Sequence, residues 1–232
     1  MTTSTLQIVI GGEAGQGLVT LGDLLARSLV RSGYHVQVTQ TYMSRIRGGH
    51  NTFAIRVGID PIGAPHDPIN VLVALDGATV EHHREALVPN ESVVIVDDLV
   101  SVDVEPCVRV PFKKLAGARY ENIVALGAVS ALLGLNKAIV GDAVVAAFGT
   151  KAEAVSMANS EALEVAYTWA ATVPAFPVRL SPANTIATPR LLISGNEAIA
   201  LGALAGGVKF CAFYPMSPAT SVVLNLAKYA DD

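Results

Sequence analysis

Apolar residues along the chain fall into two alternating rhythms. Leu6 to Ile10 is a compact run rich in β-branched residues, the pattern of a strand buried on both faces. Gly11-Gly12-Glu13-Ala14-Gly15-Gln16-Gly17 closes it, and the rhythm then changes. Leu18, Leu21, Leu24, Leu25 and Leu29 recur at helical spacing, with Asp23, Arg27 and Arg31 on other faces. The stretch predicts strand, glycine turn, helix. Gly33 ends the helix, His35 to Gln40 alternates as a second strand, and Thr52 to Val57 follows as another after the polar, irregular stretch Thr41 to Asn51. A loop rich in proline and glycine spans Gly58 to Pro68. Apolar runs at Asn70 to Leu75 and Ser92 to Val96 end on Asp76 and on Asp97-Asp98. These acids read best as helix N-caps, although they also lie at the edge where open sheets bind ligands. Glu121 to Phe148 carries two helical patterns parted near Leu135-Asn136-Lys137, and Ser160 to Thr172 gives a third. Strands alternating with helices predict an α/β fold, an open and mostly parallel sheet with helices on its faces.

The rhythm stops between Pro174 and Arg190, where Pro174, Pro177, Pro182 and Pro189 sit among small and polar residues, as in an extended linker. It then restarts: Arg190 to Ser194 as an apolar lead-in, Asn196 to Gly207 as a helix, Lys209 to Tyr214 as a strand and Thr220 to Tyr229 as a helix. About forty residues are too few to close a sheet. Ala198 to Gly206 is apolar nearly all round, so this second α/β unit reads as unfinished.

Composition points the same way. Of 232 residues 51% are hydrophobic and only 16% charged, against roughly 25% charged in an ordinary soluble domain. More surface than usual is expected to be covered by a partner, as in a subunit and not a free-standing monomer. The net charge of -4, with scattered basic residues, argues against nucleic acid. The longest apolar runs, Ile123 to Leu135 and Ala198 to Val208, fall short of the ~20 residues of a membrane span, and Met1 to Thr5 lacks the charge of a signal peptide. A soluble, cytoplasmic protein without membrane contact is expected. Cys107 and Cys211 have no ligand spacing, so an iron–sulfur cluster would have to be held elsewhere. The five histidines show no metal-ligand spacing either. His82 and His83 are adjacent and point to different sides of a helix, so they read as surface residues beside the solvated Glu81, Arg84 and Glu85, and no metal site is expected.

Three stretches are candidates for chemistry. The turn at Gly11 to Gly17 opens a helix whose free N–H groups suit an anion. It is not the dinucleotide fingerprint, because Thr20 stands where the third glycine belongs. It is not a Walker A loop either, because Leu18 and Val19 replace its Lys and hydroxyl residue. The second strand ends in Thr39-Gln40, without the acid that would grip a ribose. A turn that merely lets strand and helix pack is the plain alternative. Arg45, Arg47, Gly48 and Gly49 form the second candidate, a guanidinium fork followed by glycines that admit backbone close to a phosphate or carboxylate. An exposed basic loop is its alternative, and Tyr42 beside it is suited to stacking or to packing. Tyr214-Pro215-Met216-Ser217-Pro218 is the third, a hydroxyl held between prolines just before a helix, able to receive a small carboxylate or simply to serve as a rigid turn. Ser217 lacks the surroundings of a nucleophile, and no catalytic residue is assigned.

In their order, Gly12-Glu13-Ala14-Gly15-Gln16-Gly17, Tyr42-Met43-Ser44-Arg45-Ile46-Arg47-Gly48-Gly49 and Tyr214-Pro215-Met216-Ser217-Pro218 resemble the 2-oxoacid:ferredoxin oxidoreductases. The likeness is greatest to the alpha subunit of the 2-oxoglutarate type, in which a gamma domain is fused in front of a pyrimidine-binding domain for thiamine diphosphate. The resemblance implies a Rossmann-like gamma domain over 1–173, a linker over 174–190 and, over 191–232, the incomplete start of the thiamine diphosphate pyrimidine-binding domain. It implies oxidative decarboxylation of a 2-oxoacid, 2-oxoglutarate foremost, to an acyl-CoA, with electrons passing to ferredoxin.

On this resemblance Gly12, Glu13, Gly15, Gln16 and Gly17, with Arg45, Arg47, Gly48 and Gly49, are candidates for coenzyme A or a subunit interface. Tyr214, Pro215, Ser217 and Pro218 are candidates for the 2-oxoacid. Met216 and Ser217 replace an Ile and a Thr of the family, which keeps the hydroxyl and bears on substrate size. Thiamine diphosphate, Mg2+ and the iron–sulfur cluster are implied to come with a partner beta subunit. The family's activating glutamate lies beyond the stretch present, and Glu197 is not at its position, so the chain is expected to be inactive alone. The competing reading is a non-catalytic anion- or nucleotide-binding assembly module, or a truncated remnant.

Overall fold

The computed structural model describes residues 2–13, 15–41, 49–117, 120–149, 153–173, 176–183 and 190–230, and the chain divides into two compact units, Met1–Arg190 and Leu191–Asp232. The first unit runs β1 (Thr2–Thr3), β2 (Thr5–Glu13), α1 (Leu18–Arg31), β3 (His35–Thr41), β4 (His50–Gly58), β5 (Val71–Ala74), α2 (Gly77–His83), β6 (Val93–Asp97) and β7 (Cys107–Val110). It continues through α3 (Phe112–Ala116), α4 (Glu121–Leu132), α5 (Lys137–Phe148), α6 (Glu153–Ala170) and β8 (Arg179–Leu180).

Six strands form an open sheet in the order β3-β4-β2-β5-β6-β7. β2, β5, β6 and β7 pair in parallel, as the alternating rhythm predicts. β4 runs against both of its neighbours, β2 and β3. β3 therefore points the same way as the parallel set, and only β4 is reversed. Strands β5 and β6 are buried at every position, which is why their sequences are continuous apolar runs.

Side-chain alternation divides the sheet into two covered faces. Val9, Leu72, Ala74, Val94 and Val96 point to one of them and pack with Val80 of α2. Ile8, Ile10, Val71, Val73 and Ile95, all fully buried, point to the other. Phe53 of β4 stands opposite Ile10 and so shares this second face, where α1 crosses it. A Cβ at Gly22 of α1 would fall onto the Phe53 ring, so the glycine sets how closely helix and sheet approach. Helices α4 and α5 pack against α1, and α6 packs on α4 and α5 to complete the layer.

Strand β7 has no counterpart in the sequence reading, because two valines between Pro106 and Pro111 make too short an apolar signal for an edge strand. The described part of the proline-rich segment is extended, and it is fastened to the first unit. β8 pairs in parallel with β1, Phe176, Val178 and Leu180 are buried, and the Tyr34 hydroxyl donates to the Ser181 carbonyl at 3.1 Å.

The second unit contains α7 (Gly195–Ala205) and α8 (Ala219–Tyr229), packed on each other. Ser194 caps α7 by accepting from the Glu197 N–H, and the Tyr229 hydroxyl donates to the Glu197 carboxylate. The strand expected at Lys209 to Tyr214 is not formed: residues 208–214 are irregular and exposed. A strand needs a neighbouring edge for its backbone groups, and the described residues of this unit supply none.

The contact between Gly22 and Phe53 gives a test of packing against propensity. Gly22→Ala gains about 1 kcal/mol of helix propensity but overpacks a buried ring at a cost of about 1–3 kcal/mol. Gly141 of α5 has 3.8 Å of clearance to Leu163 and offers no such conflict. In urea titrations Gly22→Ala should be less stable than wild type and Gly141→Ala equal or more stable. Equal stability of the two variants would show that the Phe53 ring yields freely.

Candidate functional site

The end of β2 and the start of α1 are joined by the glycine turn. Gly17 is the N-cap of α1, in the left-handed region at φ 78°, with no side chain capping the helix and no acid in its first turn. The first N–H groups of α1 are thus left without a side-chain acceptor, at the positive end of the helix dipole. Gln16 folds back so that its side-chain oxygen accepts from the Glu13 N–H at 2.8 Å. That oxygen fills the place a side chain at Gly12 would take. Gln16 is therefore engaged in closing the turn.

A cleft of about 300 Å³ opens beside the turn, lined among others by Glu13, Gly15, Gly17, Thr20, Gln40 and Asn51. It lies at the carboxyl edge of β2 and β3, where open α/β sheets hold ligands. Arg45, Arg47 and Gly48, with Tyr42, lie outside the described residues. They belong to the connection from Thr41 to His50, whose flanking residues Gln40 and Asn51 line the cleft, and Gly49 at its end is described at φ 151°.

Of the acids beyond the strands, Asp76 is the N-cap of α2. Its Oδ1 accepts from the Thr79 N–H and hydroxyl, both at 2.8 Å, while its Oδ2 is buried with no hydrogen-bond partner. Asp97 accepts from the Leu99 N–H, and Asp98 pairs with Lys114. Tyr214, Pro215, Ser217 and Pro218 belong to the second unit. There the Met216 N–H donates to the Tyr214 carbonyl at 2.7 Å, Pro218 starts α8, and the whole turn is exposed. Cys107, half-buried, has its thiol pushed up mainly by burial, and Cys211 is exposed in the other unit.

The histidines depart from expectation. His50, at the start of β4, shares its face with Ala54 and so points toward α2, whose last turn carries His82 and His83. Ring centroids lie 4.5 Å apart for His50 and His82, 5.1 Å for His50 and His83, and 5.0 Å for His82 and His83. His50 Nε2 and His83 Nε2 are 3.0 Å apart. One ring nitrogen from each of the three lies within 4.8 Å of the others, a set able to hold a metal ion. The reading of His82 and His83 as separate surface residues is corrected here: the two converge with His50, and His83 is partly buried. His82 and His83 do diverge on their helix, but a strand 33 residues upstream of His83 sets His50 between them. Burial, with His50 and His82 nearby, pushes His83 down to about 4, and burial with His82 lowers His50 against the opposing charge of Asp76. The only sequence signal was the parity of β4 read together with a glycine opposite α2.

No helix among the described residues is long and apolar enough to cross a membrane. A family model described as pyruvate ferredoxin/flavodoxin oxidoreductase matches residues 7–169. The alpha subunit of a 2-oxoacid:ferredoxin oxidoreductase from Sulfolobus sp is 24% identical, the match taking in 97% of this chain and 42% of the relative. The 2-oxoglutarate synthase subunit KorC of Methanocaldococcus jannaschii is 30% identical, over 54% of this chain and 74% of its own length. Among solved structures, 2-oxoglutarate:ferredoxin oxidoreductase from Magnetococcus marinus, with 2-oxoglutarate, coenzyme A and succinyl-CoA bound, is 27% identical at a TM-score of 0.85, covering 99% of this chain and 42% of that one. A keto/oxoacid ferredoxin oxidoreductase gamma subunit from Geobacter sulfurreducens shares the fold at 23% identity and a TM-score of 0.60, over 73% of this chain and 98% of its own. The chain thus spans less than half the length of the alpha-subunit relative.

The glycine turn makes its own prediction. Gly15, at φ 97° with open space around it, should lose about 1–2 kcal/mol of stability as Gly15→Ala from backbone strain alone. Gly17→Ala should cost more, because its Cβ would also stand 2.9 Å from the Asn122 side chain. Adding Asn122→Ala should recover that excess in urea titrations; no recovery would place the strain elsewhere.

Proposed function

The chain belongs to the pyruvate ferredoxin/flavodoxin oxidoreductase family, and on that premise we propose that it is part of an enzyme converting a 2-oxoacid, coenzyme A and oxidised ferredoxin to an acyl-CoA, carbon dioxide and reduced ferredoxin. 2-Oxoglutarate is the proposed substrate. The observation carrying this is the likeness, across 99% of the chain, to a 2-oxoglutarate:ferredoxin oxidoreductase with 2-oxoglutarate, coenzyme A and succinyl-CoA bound.

We assign residues 1–173 to a gamma domain, 174–190 to a linker and 191–232 to the opening of a pyrimidine-binding domain. Coenzyme A is assigned to the cleft by Gly12, Glu13, Gly15, Gln16 and Gly17 and to the connection carrying Arg45, Arg47, Gly48 and Gly49. Charge divides the labour between them. Glu13 is an exposed acid in the described lining, so the phosphates go with the arginines, and the turn meets an uncharged stretch of the cosubstrate. The Ser217 hydroxyl, with Tyr214, Pro215 and Pro218, is assigned to the 2-oxoacid carboxylate.

The two cysteines of this stretch cannot by themselves supply the thiolates of an iron–sulfur cluster, and we assign the cluster, with thiamine diphosphate and Mg2+, to the beta subunit of a cytoplasmic hetero-oligomer. Thiamine diphosphate supplies the carbanion chemistry when bound; this chain's residues position the 2-oxoacid and coenzyme A. The second unit exposes Leu191, Phe210, Tyr214 and Leu224 by 65% or more, apolar surface suited to burial against further protein.

Co-expression with a cluster-bearing beta subunit and the remaining pyrimidine domain should give 2-oxoglutarate- and coenzyme A-dependent ferredoxin reduction, with none from the chain alone. Turnover by the lone chain, or a stable monomer that binds only a nucleotide and takes no partner, would overturn the assignment. In the active complex Ser217→Ala should raise the 2-oxoacid KM roughly 5- to 30-fold, the loss of about 1–2 kcal/mol for a hydrogen bond to a charged group. An unchanged KM removes Ser217 from the site. Arg47→Ala should raise the KM for coenzyme A and leave that for the 2-oxoacid unchanged.

A further inference from the structure

We propose that His50, His82 and His83 form a binding site for Zn2+ or a chemically similar divalent transition-metal ion, on the face of the sheet opposite α1. Three neutral imidazoles select late first-row metals over Mg2+ and Ca2+, which take oxygen ligands.

The geometry is close to what such an ion requires. Zn–N bonds of about 2.0–2.1 Å in a tetrahedral site set ligand nitrogens roughly 3.3 Å apart. The His50 and His83 nitrogens already stand 3.0 Å apart, and the third lies within 4.8 Å, a gap that rotation of the exposed His82 side chain closes. Two further features of the fold fit a cation here. A side chain at Gly11 would stand 2.5 Å from the Thr79 methyl and 2.8 Å from the His50 ring, so the strand opens a berth for this imidazole only because that position is glycine. Asp76, whose charge acts on His50, keeps one carboxylate oxygen buried without a partner, and a cation nearby compensates it. The fourth position is left for water. The ion would tie the last turn of α2 to the first residue of β4.

The site is independent of the catalytic assignment, and its test needs no turnover. Untagged chain spanning residues 1–232, stripped with chelator, is titrated with Zn2+ against a chromophoric competitor and followed by thermal unfolding. One equivalent should bind, Tm should rise, and Co2+ should give the absorption of a tetrahedral site. His82→Ala, at an exposed position, should weaken Zn2+ binding at least 100-fold and abolish the Tm rise, whereas His66→Ala should change neither. Absence of saturable binding would reduce the cluster to a hydrogen-bonded imidazole pair with a neighbour. Binding that survives both His82→Ala and His83→Gln would mean an adventitious ion. Either result overturns the proposal.

Discussion

The fold turns on a steric constraint at the end of β2, where two consecutive residues have no side chains. Strand alternation sends them to opposite faces. At Gly11 the space is used by Thr79 and His50, on the α2 side. At Gly12 it is used by Gln16 and Leu75, on the α1 side. Without the first, β4 and α2 would be held apart; without the second, the Gln16 amide could not fold back to close the turn. Gly22 repeats the device one layer out, where α1 meets Phe53. The sheet is buried on both faces, so its neighbours can approach only where the chain gives up side-chain volume.

What was legible in the sequence follows from this locality. β2, α1, β5, β6, α4 and α5 carry their signals in their own residues: a continuous apolar run for a doubly buried strand, leucines at helical spacing for α1, and Asn136, whose side chain accepts from the Ala138 N–H, as the stop between two helices. The open, mostly parallel sheet was readable for the same reason. The reversal of β4 was not, because strand direction is fixed by pairing with Glu13 through Thr5 on one side and Thr41 through His35 on the other. The strand expected over Lys209 to Tyr214 fails by the converse logic: its local pattern is that of a strand, but no described edge pairs with it. Asp76 as an N-cap was legible, since a cap and its helix are adjacent in sequence; its unpartnered oxygen was not.

The candidate site divides along the same line. Its glycine turn could be found by eye, and so could the arginine pair, because each is a contiguous motif. What the turn does with Gln16 could not, since a glutamine reads alike whether it reaches a ligand or bends back to its own strand. The histidines are the fullest case. Spacing arguments search for ligands along one element, and here two adjacent residues of a helix are completed by a third from a strand, joined only through the sheet.

The two chemistries at the end of β2 are therefore separated and connected by the same strand. On the α1 side lie an uncapped helix N-terminus and a cleft whose described lining includes the exposed Glu13. Cation-favouring features lie on the α2 side: three imidazoles and an unpaired carboxylate oxygen. Yet His50 and Asn51 are consecutive in β4, one facing the imidazole cluster and the other lining the cleft. An ion that fixes His50 fixes the backbone carrying Asn51, and it does so at the end of the connection that holds Arg45 and Arg47. The link that the structure offers between the two faces is therefore one of strand position, through the first residues of β4, His50 and Asn51.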